Sequence, residues 1–243
     1  VPPQELWIGF ETREQYLSSG ELCAHRMMEI VAESDLPLTA GMSILDFGCG
    51  AGRMIRHLEH LSSSCDIWGV DISADHIFWC KQYLTPPFHF ATTTLIPHLP
   101  FADRRFDVIY AGSVFTHIDD HVDAWLLELR RILSTDGRLY VSIHDQHTME
   151  ILDTLLRDIP LSQWARSHEI YSRGHENLGM LVLGRSSESQ VFYNLDYFCD
   201  IARSMFDVVS VTQEAYGFQT AVVLRPQSIG RDAPAQGPHP GQP

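Results

Sequence analysis

Positive charge is scarce in this chain: 17 Lys and Arg stand against 31 Asp and Glu, giving a formal net charge of −14. Phosphate recognition needs clustered cations, and no basic face shows in the sequence, so neither RNA nor DNA is the expected substrate. Cysteine is sparse too. Cys23, Cys49, Cys65, Cys80 and Cys199 are odd in number and scattered, with no Cys-x-x-Cys pair. That argues against a disulfide framework or a zinc site; reduced thiols in a cytoplasmic protein, with no metal, are expected. No apolar run approaches the ~18 residues of a membrane helix, and no signal peptide shows, so no membrane association is expected. The chain begins at Val1 rather than at methionine, as a processed or excised segment would. Targeting signals, neighbouring domains and oligomeric state therefore lie outside what the sequence states.

What is present suffices for one full core: 243 residues with 44% hydrophobic content. Helical periodicity is expected over residues 11–31, with Gly20 as an interruption. Strands are expected at 43–47, 66–70, 88–91, 106–111 and 139–143, with helices at 53–61 and 74–84 between the first three. Asp119 and Asp120 are the expected N-caps of a helix bearing Val122, Trp125, Leu126 and Leu129, and Asp136-Gly137 the turn into the fifth strand. Strands alternating with helices imply a doubly wound, mostly parallel sheet with helices on both faces. The pattern loosens over 146–194, resumes with a helix at 195–204, and closes with strands at 206–212 and 219–224 that read as an antiparallel hairpin. Three regions follow: an N-terminal helical cap (1–42), an α/β domain (43–225) with a variable segment near 146–194, and a Pro/Gly-rich tail (226–243) expected to be disordered.

The densest motif is Asp46-Phe47-Gly48-Cys49-Gly50-Ala51-Gly52. A strand ends in an acid, a glycine turn follows, and a helix is expected next, whose free N–H groups suit an anionic ligand. Missing is the Gly-x-Gly-x-x-Gly spacing of dinucleotide-binding folds, because the third glycine comes one residue early. A second acid, Asp71, ends the next strand roughly 20 residues on, where a carboxylate accepts from both ribose hydroxyls of a nucleoside. Asp71 alone does not choose between NAD and other nucleosides, and it also reads as a helix N-cap.

Four ordered phrases extend the match: Leu45 to Arg53, Gly69 to Ser73, Leu99 to His117 and Leu127 to Leu133. With the closing hairpin they resemble class I S-adenosylmethionine (SAM) methyltransferases over roughly residues 14–224, and the resemblance implies a seven-stranded sheet with its last strand antiparallel. It also implies SAM as cofactor, with S-adenosylhomocysteine as product. By this resemblance Gly48, Gly50 and Gly52 approach the amino-acid portion and ribose of SAM. Asp71 holds the ribose hydroxyls, Ile72 packs on adenine and the Ala111 backbone meets the methionine amino group. Asp46 orients the loop or reaches that amino group through water. Thr93 stands where many relatives carry an acid or Asn for the adenine amine.

The acceptor expected from the resemblance is a small molecule, with a sugar or secondary-metabolite hydroxyl favoured. The Asn/Asp-Pro-Pro-Tyr/Phe motif of amino-group methylation is absent after the fourth strand, which reads Ala111-Gly112-Ser113-Val114-Phe115. Candidate bases are His144, next to Asp145 at the end of strand five, and His117 beyond strand four, because histidine titrates near neutral pH. Each also reads as a structural residue. His168, Tyr171 and His175 in the variable segment line an acceptor pocket or face solvent. Two other functions fit the same turn: a non-catalytic SAM-binding partner subunit, and an NAD-dependent oxidoreductase, which the glycine spacing and the hairpin disfavour.

Overall fold

A computed structural model describes residues 1–174, 179–184 and 189–227. His175 and the tail from 228 onward lie outside the described residues. The strands are β1 (Ser43–Phe47), β2 (Asp66–Asp71), β3 (His89–Thr92), β4 (Phe106–Ala111), β5 (Leu133–Ile143), β6 (Met180–Leu183), β7 (Gln190–Tyr193), β8 (Phe206–Tyr216) and β9 (Gln219–Pro226). Seven of them form one sheet in the order β3-β2-β1-β4-β5-β9-β8, and β6 pairs with β7 separately. The pairs from β3 through β5 are parallel, whereas β9 runs antiparallel to both β5 and β8. The expected closing hairpin is therefore present, with β9 inserted between β5 and β8.

Side chains alternate across a strand, and here both faces are apolar, as a sheet covered twice requires. Leu45, Phe47, Ile109, Leu139, Val141 and Val222 enter one core with α3 (Val122–Ile132) and α7 (Leu195–Arg203). Ile44, Val108, Tyr110, Tyr140 and Val223 enter the other with α1 (Arg13–Glu33) and α2 (Ala74–Tyr83). The variable segment builds a third core. Met149 and Leu152 of α4 (Gln146–Asp153), Ala165 of α5 (Pro160–Ser167) and Tyr171 of α6 (Glu169–Gly174) pack there with Leu183 and Phe192.

Several expected boundaries shift for physical reasons. The helix expected at 53–61 is a tight 3-10 segment over Ile55–Leu61. Gly52 has φ +72°, outside helical space, and the Arg56 guanidinium takes the Gly52 and Ala51 carbonyls at 2.7 and 2.8 Å. Asp119 and Asp120 do not cap α3. The N-cap is His121, at φ 62° and with no side-chain cap bond. Asp136-Gly137 lies inside β5, which already begins at Leu133, where the register against β4 shifts. Pro226 does not open the tail: it is buried and pairs with Phe206.

Gly20 is a point of closest approach rather than an interruption. A Cβ there would lie 2.3 Å from the Arg53 carbonyl oxygen, and the Tyr16 hydroxyl donates to the Ala51 carbonyl at 3.2 Å. The N-terminal helix thus lies directly on the glycine turn. Helix propensity alone says that Gly20→Ala stabilises by about 1 kcal/mol; the contact with backbone says the opposite. We expect Gly20→Ala to destabilise by about 1–3 kcal/mol, read as a lower urea midpoint.

Candidate active site

The strand order reverses between β1 and β4, and in open α/β sheets ligands sit beyond the carboxyl ends of the strands at such a point. The glycine turn leaves β1 there. Its Gly48 and Cys49 N–H groups both donate to the Val70 carbonyl, at 2.8 and 2.9 Å, which ties the turn to β2. A methyl group at Gly48 would lie 2.3 Å from Val114 Cγ2, and one at Gly52 would lie 2.5 Å from Leu84 Cδ1. The protein's own packing therefore requires those two glycines. At Gly50, with φ +52°, no atom lies within 4 Å of that position. Of the three, Gly50 is the one that faces open space.

Two acids near this space have their pKa values shifted in opposite directions. Asp71 Oδ2 accepts from the Gly50 N–H at 2.7 Å and Oδ1 from the Ser73 N–H at 2.8 Å. Burial raises its pKa, but the His76 imidazole 3.8 Å away and hydrogen bonds from Ser73 and Gly50 outweigh that and hold the carboxyl below the usual carboxylate range. Asp46 is buried, and its Oδ2 has no hydrogen-bond partner. Burial pushes this carboxyl up to about 7, against the Tyr110 hydroxyl and the Arg53 charge. Environment alone has separated the two groups.

The remaining expected residues lie at neighbouring strand ends. Ile72 is 55% exposed, high for a large apolar side chain beside an ionised acid, and Leu95 and Ile96 are exposed as well. The Thr93 N–H donates to the Asp71 carbonyl at 2.9 Å, while its hydroxyl oxygen is buried without a partner. Ala111 is fully buried and pairs with Val141. Beyond it the Ser113 N–H donates to Ser142 Oγ at 2.7 Å, and Gln219 bonds both Ser142 and Ser113. Sequence reading missed this polar brace, because its members lie on three separate strands and loops.

The two histidines are brought together by the consecutive residues Ser189 and Gln190. His144 is buried, stacked on Phe192 and Phe218 at 4.9 and 5.8 Å. Its Nε2 lies 3.2 Å from Gln190 Oε1, and its Nδ1 has no partner. Burial pushes its pKa down to about 3. His117 is exposed, with Nδ1 2.8 Å from the Ser189 carbonyl and 3.5 Å from Gln190 Nε2. Asp145 caps α4 through the Thr148 N–H at 2.9 Å. Tyr171 is buried in the third core, and His168 packs edge-on to Trp164 at 4.5 Å.

The methyltransferase-domain family matches residues 45–141, from the glycine turn through the fifth strand. Those residues match a methyltransferase domain, and the sheet that contains them has the class I SAM-dependent methyltransferase fold. It is 29% identical over 171 residues to trans-aconitate 2-methyltransferase of Rhodopseudomonas palustris, covering 69% of this chain and 62% of that protein. Over 146 residues it is 27% identical to the fatty-acid O-methyltransferase of Mycolicibacterium smegmatis, covering 58% of this chain and 53% of that protein. The chain thus spans less than two thirds of the length of either relative. The fold is also that of the Burkholderia thailandensis 1,6-didemethyltoxoflavin N1-methyltransferase, whose structure holds S-adenosylhomocysteine. The TM-score is 0.59 at 12% identity, over 87% of this chain and 80% of that one.

The residues present fit SAM. The unpartnered Asp46 Oδ2 suits an ammonium and the unpartnered Thr93 hydroxyl an exocyclic amine, while the space at Gly50 admits the ligand between them. The raised Asp46 carboxyl has a consequence for the ligand-free protein. An unfolded Asp loses its proton near pH 4, whereas the folded group keeps it until about 7. The folded state binds more protons in that window, so stability falls as pH rises through it. Asp46→Asn removes the loss. It should stabilise the free protein at pH 8 by on the order of 2–4 kcal/mol and change little at pH 4, measured by chemical denaturation at both values. In a separate variant, Gly50→Asp fills the open space with bulk and negative charge. Calorimetry should show SAM binding lost, while circular dichroism stays that of the wild type.

Proposed function

We propose that the chain transfers the methyl group of SAM to an oxygen of a small-molecule acceptor. The observation that carries this reading is geometric: the Asp71 carboxylate is pinned to the Gly50 N–H beside open space, and a buried Asp46 oxygen on the neighbouring strand is left without a partner. The two relatives, named for trans-aconitate and for fatty acids, support a small acceptor. The net charge of −14 speaks against a nucleic-acid acceptor.

In this reading Asp71 accepts from the ribose hydroxyls with the lone pairs left after its bonds to Gly50 and Ser73. Ile72 covers one face of the adenine, and Thr93 takes its amine. Asp46 and the end of β4 at Ala111 receive the methionine amino group, and Gly48 and Gly52 hold the turn that brings Gly50 against the ligand. Bound SAM supplies an already activated methyl group, so an acceptor oxygen held in line is the main requirement.

The histidines then divide the remaining work. Gln190 Oε1 accepts from His144 Nε2–H, so Nδ1 is the free acceptor; this tautomer is assigned from the partner. A histidine that stays neutral down to about pH 3 is too weak a base to keep a proton at neutral pH. It orients the acceptor by accepting a hydrogen bond. His117 donates from Nδ1 to the Ser189 carbonyl, which leaves Nε2 to take a hydroxyl proton.

A turnover screen with methyl-labelled SAM across sugars, phenols, secondary-metabolite alcohols and carboxylic acids tests the proposal. Label is expected on an oxygen of one class. SAM binding with no turnover on any class would favour the alternative, a non-catalytic SAM-binding subunit. With a hydroxyl acceptor, His117→Ala should lower kcat by about 100-fold or more and leave SAM affinity unchanged.

A further inference from the structure

The glycine turn was expected to offer a helix N-terminus to an anion, and the structure withholds it: the segment that follows is a turn and then a 3-10 stretch over Ile55–Leu61. Positive charge arrives there by another route. Arg53 follows the last glycine, and its guanidinium lies between two aromatic rings, with Cζ 5.2 Å from the centroids of both Phe10 and Tyr216. Its hydrogen-bond partners are neutral, Ser19 Oγ at 3.2 Å and the Tyr216 hydroxyl, with the Cys23 thiol nearby.

Other buried or half-buried guanidiniums among the described residues are treated differently. Arg105 and Arg131 meet the carboxylates of Asp66 and Glu128. Arg56, Arg130 and Arg138 take backbone carbonyls. No carboxylate lies within 4 Å of Arg53 among the described residues. A guanidinium withdrawn from water and given only hydroxyls and ring faces keeps capacity for an anion, since it has five N–H donors. Its place is also specific. The Tyr216 ring that stacks on it presses against Gly112, where a Cβ would lie 2.5 Å from Tyr216 Cε2. Gly112 directly follows Ala111 at the end of β4, where the proposed function places the methionine amino group.

We infer that Arg53 anchors a ligand carboxylate at this end of the site. The inference rests on the function proposed above and deepens it, because the carboxylate belongs either to the amino-acid end of SAM or to an acidic acceptor. A guanidinium matches the planar carboxylate with two parallel donors, which an ammonium cannot do.

The test compares wild type with Arg53→Gln and Arg53→Lys, first with SAM and with decarboxylated SAM, by calorimetry. The second arm uses the protein saturated with S-adenosylhomocysteine and titrates succinate and octanoate against butane-1,4-diol and octanol. If the carboxylate is that of SAM, wild type prefers SAM over the decarboxylated form by roughly tenfold to hundredfold. Arg53→Gln then abolishes that preference, and Arg53→Lys retains part of it. If the carboxylate is the acceptor's, the SAM ratio is the same in all three proteins. Wild type then prefers an acid to its alcohol, and Arg53→Gln loses that preference. Should a variant fail to fold, the wild-type preferences still decide: no discrimination for a carboxylate in either arm overturns the inference. SAM binding with both preferences untouched by Arg53→Gln overturns it alone. No SAM binding to wild type overturns it together with the proposed function.

Discussion

The hydrogen bond from the Gly50 N–H to Asp71 Oδ2, at 2.7 Å, is the constraint on which the site depends. It joins the open point of the glycine turn to the acid that ends β2. The same carboxylate accepts from Ser73, the N-cap of α2, at 2.8 Å. One side chain therefore fixes the turn, the strand end and the start of the next helix, and these bonds keep it ionised despite burial. Without that bond Gly50 would have no reason to present its open side at a fixed height above the sheet.

The other parts of the site are arranged around this pin. Behind the turn, Val70 carries two of its N–H groups, and above it α1 rests on Arg53 through the missing side chain of Gly20. Asp46, a few residues before Gly50, keeps one oxygen without a partner, and burial holds its proton toward neutral pH. The contrast is physical: identical carboxyls on neighbouring strands differ because one has donors aimed at it and the other has an unpartnered oxygen. A site of this kind suits a ligand with both a diol and an ammonium, which SAM has.

Much of this was legible in the sequence, because the sheet imposes a period-two pattern and places ligands at strand ends. Asp46, the glycines and Asp71 fall where that rule puts them, and the closing hairpin gave away the antiparallel β9. Local contacts were less visible. The Arg56 guanidinium replaces backbone bonds, so a helical pattern at 53–61 folds as a 3-10 segment. Gly20 read as a weak point because propensity says nothing of a neighbour 2.3 Å away. Arg53 stood in plain sight within the matched phrase, but its significance lies in Phe10, Ser19 and Tyr216, which come from distant parts of the chain. Likewise His117 and His144 are held by consecutive residues, Ser189 and Gln190, at the start of a strand that the irregular segment concealed.

The central claim is that this glycine turn and its two acids form a nucleoside site of the SAM type and not of the dinucleotide type. Titrating the wild-type chain by calorimetry with SAM and, separately, with NAD tests it most directly. The account predicts saturable binding of SAM and none of NAD. Binding of NAD without binding of SAM would contradict it.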